Sequence, residues 1–273
     1  MKMRRNSLTF WLCLILAGIA IFSGYEIVKT LLEYKAGEDA YNHLQQYVSV
    51  AEPTDPAKDE TQETMPGQTG GDQGPEVTVP VVVDENKLGI HVDFDALHKI
   101  NSDVVGWIYL EDSKINFPVA QGDDNQEYLY QLINGDYNGS GTPFVDYRNA
   151  PDFSDRNTII YGHNMNNGAM FADIHKYEDQ AYYDSHPVIW VLTPTRNYCL
   201  EIFAGYKTGL DADAWQMFFV SDDEFMEWVD TAIEKSAFES DVIPTVDDRI
   251  VTLSTCSDSA NQIRFVLLGV IRE

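Results

Sequence analysis

Two β-prone stretches close the chain: RIVTLSTC at residues 249–256 and RFVLLGVI at residues 264–271. The polar stretch SDSANQ at residues 257–262 separates them, which is typical of two adjacent antiparallel strands joined by a loop. Such a pair would bring Cys256, at the end of the first strand, close to Arg264 at the start of the second. Because a neighbouring cation favours the thiolate, Cys256 is a candidate nucleophile.

The rest of the C-terminal region indicates a mainly β domain. Short apolar runs separated by turn residues lie at 104–110, 117–119, 141–146, 158–161, 188–193 and 199–206. With the closing pair they predict about eight short strands, and the lack of regular helix alternation favours a closed barrel or a sandwich over a parallel α/β sheet. Helices are predicted at 93–100, with Asp93 as N-cap, and at 221–238, which opens on the capping box Ser221–Glu224.

A cysteine nucleophile needs a partner that exchanges protons, and histidine is the usual one. His163 follows the β-prone run TIIYG at 158–162 and precedes the loop-like NMNNG at 164–168. A histidine at a strand end beside a loop is well placed to face a cleft, whereas the other five lie on predicted helices or in polar segments. His163 is therefore the predicted partner of Cys256, and an ordinary polar loop histidine is the alternative.

The sequence context of the other two cysteines indicates that they are ordinary apolar side chains. Cys13 lies in an N-terminal apolar run, and Cys199 lies in an alternating strand pattern, so the three cysteines imply no disulfide framework. The histidines lack the close ligand spacing of zinc sites, and no acidic run matches a calcium loop. We expect neither a metal nor another cofactor.

The N-terminal third predicts a membrane anchor. A basic tail at 1–7 precedes an apolar run, which favours an uncleaved signal anchor at 8–28 over a cleaved signal peptide. Lysine and arginine residues that flank a membrane span stay on the cytoplasmic side. We therefore expect a single-pass protein of the cell membrane with a cytoplasmic N-terminus and everything after the anchor outside. A helical stalk at 29–50 and a disordered, acidic, Pro/Gly/Thr-rich linker at 51–86 then lead to a catalytic domain at 87–273.

The charge balance narrows the choice of partners. The chain has 18 basic and 44 acidic residues and a net charge of −26. This argues against nucleic acid, which needs clustered lysine and arginine, and against lying flat on an anionic lipid surface. It fits solubility outside the cell.

Three elements together resemble a sortase, most closely of class B: YGHNM at 161–165, TLSTC at 252–256, and Arg264. The resemblance covers nearly all of 87–273 and includes DVVGWI at 103–108 and FVDYRN at 144–149. It implies a closed eight-stranded β-barrel with an N-terminal helix, and with the 221–238 helix inserted between the sixth and seventh strands. Residues 257–262 depart from the pattern because they lack the aromatic residues expected there.

The resemblance also implies a chemistry, that of the membrane-anchored cysteine transpeptidases of Gram-positive bacteria. Cys256 would carry the acyl group, His163 would move protons, and Arg264 would stabilise the oxyanion. Candidate substrate-binding residues are Ser254, Thr255, Asn125 and Tyr147.

The implied substrates are secreted proteins with a C-terminal sorting signal, and the implied acceptor is an amine of the peptidoglycan precursor. Alternatives are a pilin-polymerising sortase with a lysine acceptor, a cysteine protease that only hydrolyses, and a catalytically silent surface scaffold. The intact set of cysteine, histidine and arginine argues against the scaffold.

Overall fold

The computed structural model describes residues 3–50, 89–210, 213–256 and 263–272. The linker predicted at 51–86 and the loop at 257–262 lie outside these residues. The strands in the described part are β1 (Val48–Val50), β2 (Ile90–Val92), β3 (Val104–Tyr109), β4 (Asn116–Ala120), β5 (Phe144–Val145), β6 (Asn157–His163), β7 (Val188–Leu192), β8 (Asn197–Gly209), β9 (Ile250–Cys256) and β10 (Ile263–Arg272). The helices are α1 (Met3–Leu44), α2 (Phe94–Ile100), α3 (Gln180–Ser185) and α4 (Asp222–Lys235).

Strands β3 to β10 form a closed eight-stranded barrel, in the order β10-β8-β7-β3-β4-β5-β6-β9. The prediction of a mainly β domain is confirmed, and the barrel rather than the sandwich is observed. The pairs β4–β5 and β6–β9 are parallel, and the other neighbours are antiparallel. Because β6 and β9 run in the same direction, their C-terminal residues meet at one edge of the barrel.

Helix α4 lies between β8 and β9, the sixth and seventh strands of the barrel, as the resemblance implied. Ser221 caps it, since the Ser221 hydroxyl accepts the Glu224 N–H at 3.2 Å. Its buried side chains recur every three or four residues, which places one face against β8: Phe225, Trp228, Val229 and Ala232. The shorter α2 begins at the predicted cap, where the Asp93 carboxylate accepts the Ala96 N–H at 2.9 Å.

The N-terminal helix is continuous through the predicted anchor and ends at Leu44, six residues before the end of the predicted stalk. A 3₁₀ turn at Gln45–Tyr47 follows it, and β1 then pairs antiparallel with β2. The β-branched Val48 and Val50 lie opposite Val92 and Ile90, which are buried, so this segment is more favourable as a strand than as a helix.

By length and composition α1 can cross a membrane, with a mean hydropathy of 2.0 in its apolar window. Its large apolar side chains between Phe10 and Leu32 are exposed, whereas Tyr41 and Leu44 are buried against the domain. The helix therefore has an unpacked apolar part followed by a part that belongs to the folded domain.

Candidate functional site

The three residues expected to carry the chemistry lie on three adjacent strands. His163 ends β6 and Cys256 ends β9, and the parallel register pairs these two residues directly. Strand β10 pairs with β9 on its other side, with Val266 opposite Ser254. Beyond that pair the Thr255 hydroxyl bonds the backbone of Phe265, so the residues next to these two, Cys256 and Arg264, lie at the same end of the two strands. Since neighbouring strands lie about 4.8 Å apart, the backbones of His163 and Cys256 are immediate neighbours.

The glycine before His163 is required by close packing. A Cβ atom on Gly162 would lie 2.5 Å from Cγ of Phe171, whose ring is fully buried. Phe171 opens the 3₁₀ segment Phe171–Glu178 that follows the His163 loop. The backbone just before His163 therefore packs against the 3₁₀ segment that follows the His163 loop. This contact fixes the end of β6.

The imidazole of His163 is held by a backbone carbonyl. Its Nε2 donates to the Leu129 carbonyl at 2.6 Å, which leaves Nδ1 as the nitrogen that can accept a proton. The ring of Tyr130 lies beside it, with 5.7 Å between ring centroids. Burial lowers the pKa of His163 below 6.5, and the nearby positive charge of Arg264 lowers it further, while the bond to Leu129 acts in the opposite direction.

A cavity of about 260 Å³ lies next to these strand ends. Arg264 and Tyr161 line it, together with Asn125, Gln126, Leu129, Phe144, Leu210 and Trp215. Its walls are mostly apolar and aromatic, with a few polar groups, which is the usual composition of a binding site for an organic ligand. We call it the groove.

A buried carboxylate orients two side chains of the groove. Asp146 is fully buried and accepts hydrogen bonds from Asn125 Nδ2 at 2.9 Å and from the Tyr161 hydroxyl at 3.0 Å. Arg148 donates two side-chain hydrogen bonds to it, both at 2.9 Å. Burial alone would raise the pKa of Asp146, but these bonds outweigh it and lower the pKa to about 2. Asp146 is therefore a charged acceptor throughout the physiological pH range.

Two of the predicted substrate-binding residues have structural contacts. Ser254 is buried, and its hydroxyl accepts the Trp215 indole N–H at 3.1 Å, so it positions a side chain of the groove. Thr255 is also buried, and its hydroxyl bonds the Phe265 N–H at 3.0 Å and the Phe265 carbonyl at 3.3 Å. Thr255 thus cross-links β9 to β10 beside Cys256.

The other two candidates differ in position. Asn125 lines the groove, and its side-chain oxygen accepts the Tyr147 N–H at 3.1 Å. The Tyr147 side chain is 50% exposed and is not part of the groove lining. The structure therefore brings Asn125, but not the ring of Tyr147, to the groove.

Most residues of the groove were not predicted from the sequence. Tyr161 had a usable signal, because it lies two residues before His163 on one strand and so faces the same side. Leu129, Leu210 and Trp215 come from connecting segments whose paths depend on the tertiary fold. Their sequence context gave no comparable signal.

The remaining predicted features are structural. Cys199 is buried in β8, and burial raises the pKa of its thiol to about 12, so it is not a nucleophile at neutral pH. Within the described ranges, no three His, Cys, Asp or Glu side chains form a group suited to hold a metal ion.

Comparison with known proteins gives one consistent family. The sortase domain model matches residues 108–271. Sortase B of Staphylococcus aureus is 31% identical over 249 residues, which cover 91% of this chain and 89% of that protein. Sortase B of Listeria monocytogenes is 40% identical over 160 residues, 59% of this chain and 65% of that protein.

Solved structures agree with the sequence relatives. The structure described as a Staphylococcus aureus sortase B–substrate complex matches with a TM-score of 0.64 and 36% identity, over 66% of this chain and 84% of that one. This chain belongs to the sortase family as a class B sortase, an enzyme of the transpeptidase kind.

Proposed function

We propose that this protein is a cysteine transpeptidase that cleaves a C-terminal sorting signal and transfers the upstream protein to an amine. The observation that carries the proposal is the direct pairing of His163 with Cys256 at one edge of the barrel, with Arg264 on the next strand, where it lines the groove. A nucleophile, a proton carrier and a permanent cation at one position are what acyl transfer requires.

The first half of the reaction forms a thioester. The Cys256 thiolate attacks the carbonyl carbon of the scissile amide, and a C–S bond forms. His163, as imidazolium, donates its proton to the departing nitrogen, and the C–N bond breaks. The acyl group of the sorting signal then remains on Cys256 as a thioacyl enzyme.

The second half transfers the acyl group. The incoming amine gives up a proton to neutral His163 and attacks the thioester carbonyl. A new amide bond forms, the C–S bond breaks, and the thiolate is regenerated. His163 ends this step protonated and is ready for the next cycle.

Arg264 stabilises the negative charge that develops on the substrate oxygen in both halves. Its guanidinium stays charged over the whole working pH range and presents several N–H donors in a fixed plane. Burial lowers the pKa of His163, and this same positive charge lowers it further.

The proposed substrates are secreted proteins with a C-terminal sorting signal, bound in extended form along the groove. The proposed acceptor is an amine of the peptidoglycan precursor, because an anchored enzyme outside the cell meets acceptors made at the outer membrane face. A pilin lysine as acceptor, or water in simple hydrolysis, are the competing outcomes. The anchor helix supports the location, and Lys2, Arg4 and Arg5 support a cytoplasmic N-terminus.

The test uses the full-length chain in detergent micelles with a panel of sorting-signal peptides, with and without an amine acceptor. The expected result is an amine-linked product that forms only with the acceptor and is lost in Cys256→Ala. Peptide consumption without any amine adduct would overturn the transpeptidase proposal in favour of hydrolysis. Appreciable turnover by Cys256→Ala would overturn the site assignment.

A further inference from the structure

The C-terminal part of α1 is hydrogen-bonded to one segment of the catalytic domain, residues 138–142. The Glu33 carboxylate accepts the Gly139 N–H at 2.9 Å. About two turns later, the buried Tyr41 hydroxyl donates to the Gly141 carbonyl. Burial raises the pKa of Tyr41, so this hydroxyl keeps its proton throughout the physiological pH range. The segment is therefore held along α1 at two points.

The same segment is bonded on its other side to residues 128–131. The Asn138 N–H donates to the Tyr130 carbonyl, and the Thr142 N–H donates to the Tyr128 carbonyl, both at 2.9 Å. These backbone hydrogen bonds lie at the two ends of the 138–142 segment and fix its position relative to residues 128–131. Displacing one of the two segments therefore displaces the other.

Gly141 contacts both α1 and the carbonyl that holds His163. Its φ of +56° and its lack of a side chain allow its backbone to pack on the Leu129 carbonyl, since a Cβ atom would lie 2.5 Å from that oxygen. The Leu129 carbonyl is the group that accepts the hydrogen bond from Nε2 of His163 at 2.6 Å. A single residue, Gly141, therefore lies between the Tyr41 hydroxyl and the carbonyl that holds His163.

We propose that Tyr41 is a positioning residue for His163, with Glu33 as a second support of the same segment. Without the Tyr41 hydroxyl, the buried Gly141 carbonyl loses this donor, and the cost of an unpaired buried carbonyl favours a shift of the backbone. Because Gly141 contacts the Leu129 carbonyl directly, that shift displaces the acceptor of the His163 Nε2–H.

The consequence for the reaction depends on the two imidazole nitrogens of His163. In a neutral histidine, the group that accepts a hydrogen bond from one ring nitrogen determines which tautomer is present. The Leu129 carbonyl keeps the proton on Nε2 and leaves Nδ1 to exchange protons during the reaction. This inference rests on the proposed function, in which His163 is the proton carrier. The helix that contains the predicted anchor thereby contributes to the geometry of the site.

The test follows the His163 imidazole by long-range proton–nitrogen NMR of the full-length, histidine-labelled chain in detergent micelles. The His163 signal is identified by its absence from His163→Gln. Tyr41→Phe removes the hydroxyl but keeps the ring, which packs edge-on against Phe117 with 5.2 Å between ring centroids. Glu33→Ala, at a partly buried position, is a second variant that removes the carboxylate bond to Gly139.

Gln45→Ala is the matched control. Gln45 lies directly after α1 and exchanges two hydrogen bonds with Asn116 in β4, at 3.0 and 2.9 Å. The variant therefore loosens the junction between this end of α1 and the barrel without removing a bond to residues 138–142. Its His163 signals should match those of the unmodified protein.

The expected result is that Tyr41→Phe lowers the pKa of His163 further, because the bond to Leu129 opposes the effects of burial and of Arg264. The Nδ1–H tautomer should appear as well, and Glu33→Ala should change both in the same direction. In a peptide assay, Tyr41→Phe should lower kcat about tenfold and leave KM within about twofold, since Tyr41 is not among the residues that line the groove.

An unchanged pKa and tautomer of His163 in Tyr41→Phe would overturn the proposal, as would an equal change in Gln45→Ala. A raised KM at unchanged kcat would also overturn it, since that result indicates a role in substrate binding. If Tyr41→Phe does not fold, an unchanged His163 in Glu33→Ala takes the place of the first outcome. The NMR measurement uses no peptide, so its result is separate from whether the enzyme transfers the acyl group or only hydrolyses.

Discussion

At the residue scale, His163 and Arg264 are electrostatically coupled. The positive charge of Arg264 penalises the imidazolium, so it lowers the pKa of His163. We predict that Arg264→Gln raises the pKa of His163 towards 6.5, because a neutral side chain removes that penalty while burial still lowers the value. Titration of the imidazole signal by NMR measures this.

Arg264→Lys is the matched control because it retains the positive charge, and it should leave the His163 titration close to that of the unmodified protein. The direction of the His163 pKa shift also determines how its contribution to stability depends on pH. A pKa lower in the folded than in the unfolded state means that His163 favours folding above pH 6.5 and loses that contribution as pH falls. An unchanged or lower pKa in Arg264→Gln would contradict the coupling.

The role of Gly162 follows from the short distance between its Cα hydrogen side and the Phe171 ring, which leaves no room for a Cβ atom. We predict that Gly162→Ala lowers the free energy of unfolding by about 1–3 kcal/mol, since the added methyl group would overlap the buried Phe171 ring. It should also displace His163 and reduce turnover. Urea unfolding and peptide turnover measure the two effects.

Gly209→Ala in β8 is the control, because a Cβ there meets no atom of the described residues within 4 Å. It should change the free energy of unfolding by no more than about 0.5 kcal/mol, as exposed substitutions usually do. Equal stability of the two variants would show that the Phe171 contact does not restrict position 162.

At the element scale, the eight barrel strands were predictable because each contains a short apolar run between turn residues. The run at 141–146 is an instructive exception, since only Phe144–Val145 is a strand. Gly141 has a φ of +56° and Pro143 donates no hydrogen bond, so the chain pairs only after them. The end of α1 was not predictable either, because β1 depends on a partner strand about 40 residues away.

The C-terminal part of α1 is buried against the domain, so we expect the stable folded unit to begin within this helix. A chain starting at residue 87 lacks β1 and the buried Tyr41 and Leu44, each worth about 1.5–3 kcal/mol on burial. We therefore predict that it is less stable than a chain starting at residue 30, by at least about 3 kcal/mol. Urea unfolding of both chains at pH 7 measures the difference.

A matched control keeps the start at residue 30 and replaces residues 53–86 by a short Gly-Ser turn. It retains the β1–β2 pair and the α1 contacts, so its stability should equal that of the chain from residue 30. If the chain from residue 87 were equally stable, α1 would not be part of the folded domain.

At the scale of the whole molecule, the fold class and the two strand ends that carry His163 and Cys256 were predictable from the sequence. Both positions end apolar runs, and a strand end is a local property of the sequence. The groove was less accessible, since Leu129 and Trp215 reach it through tertiary contacts with His163 and Ser254. Local sequence patterns therefore locate the strand ends, whereas the walls of the groove depend on long-range packing.

In the proposed mechanism, Cys256 carries the acyl group between sorting signal and amine. The most direct measurement is the intact mass of the full-length protein, acid-quenched during turnover of a sorting-signal peptide and then mapped by proteolysis. We expect an added mass equal to the N-terminal part of the cleaved peptide, located on Cys256 and lost when an amine acceptor is added. Turnover with no acyl group on Cys256 would contradict it.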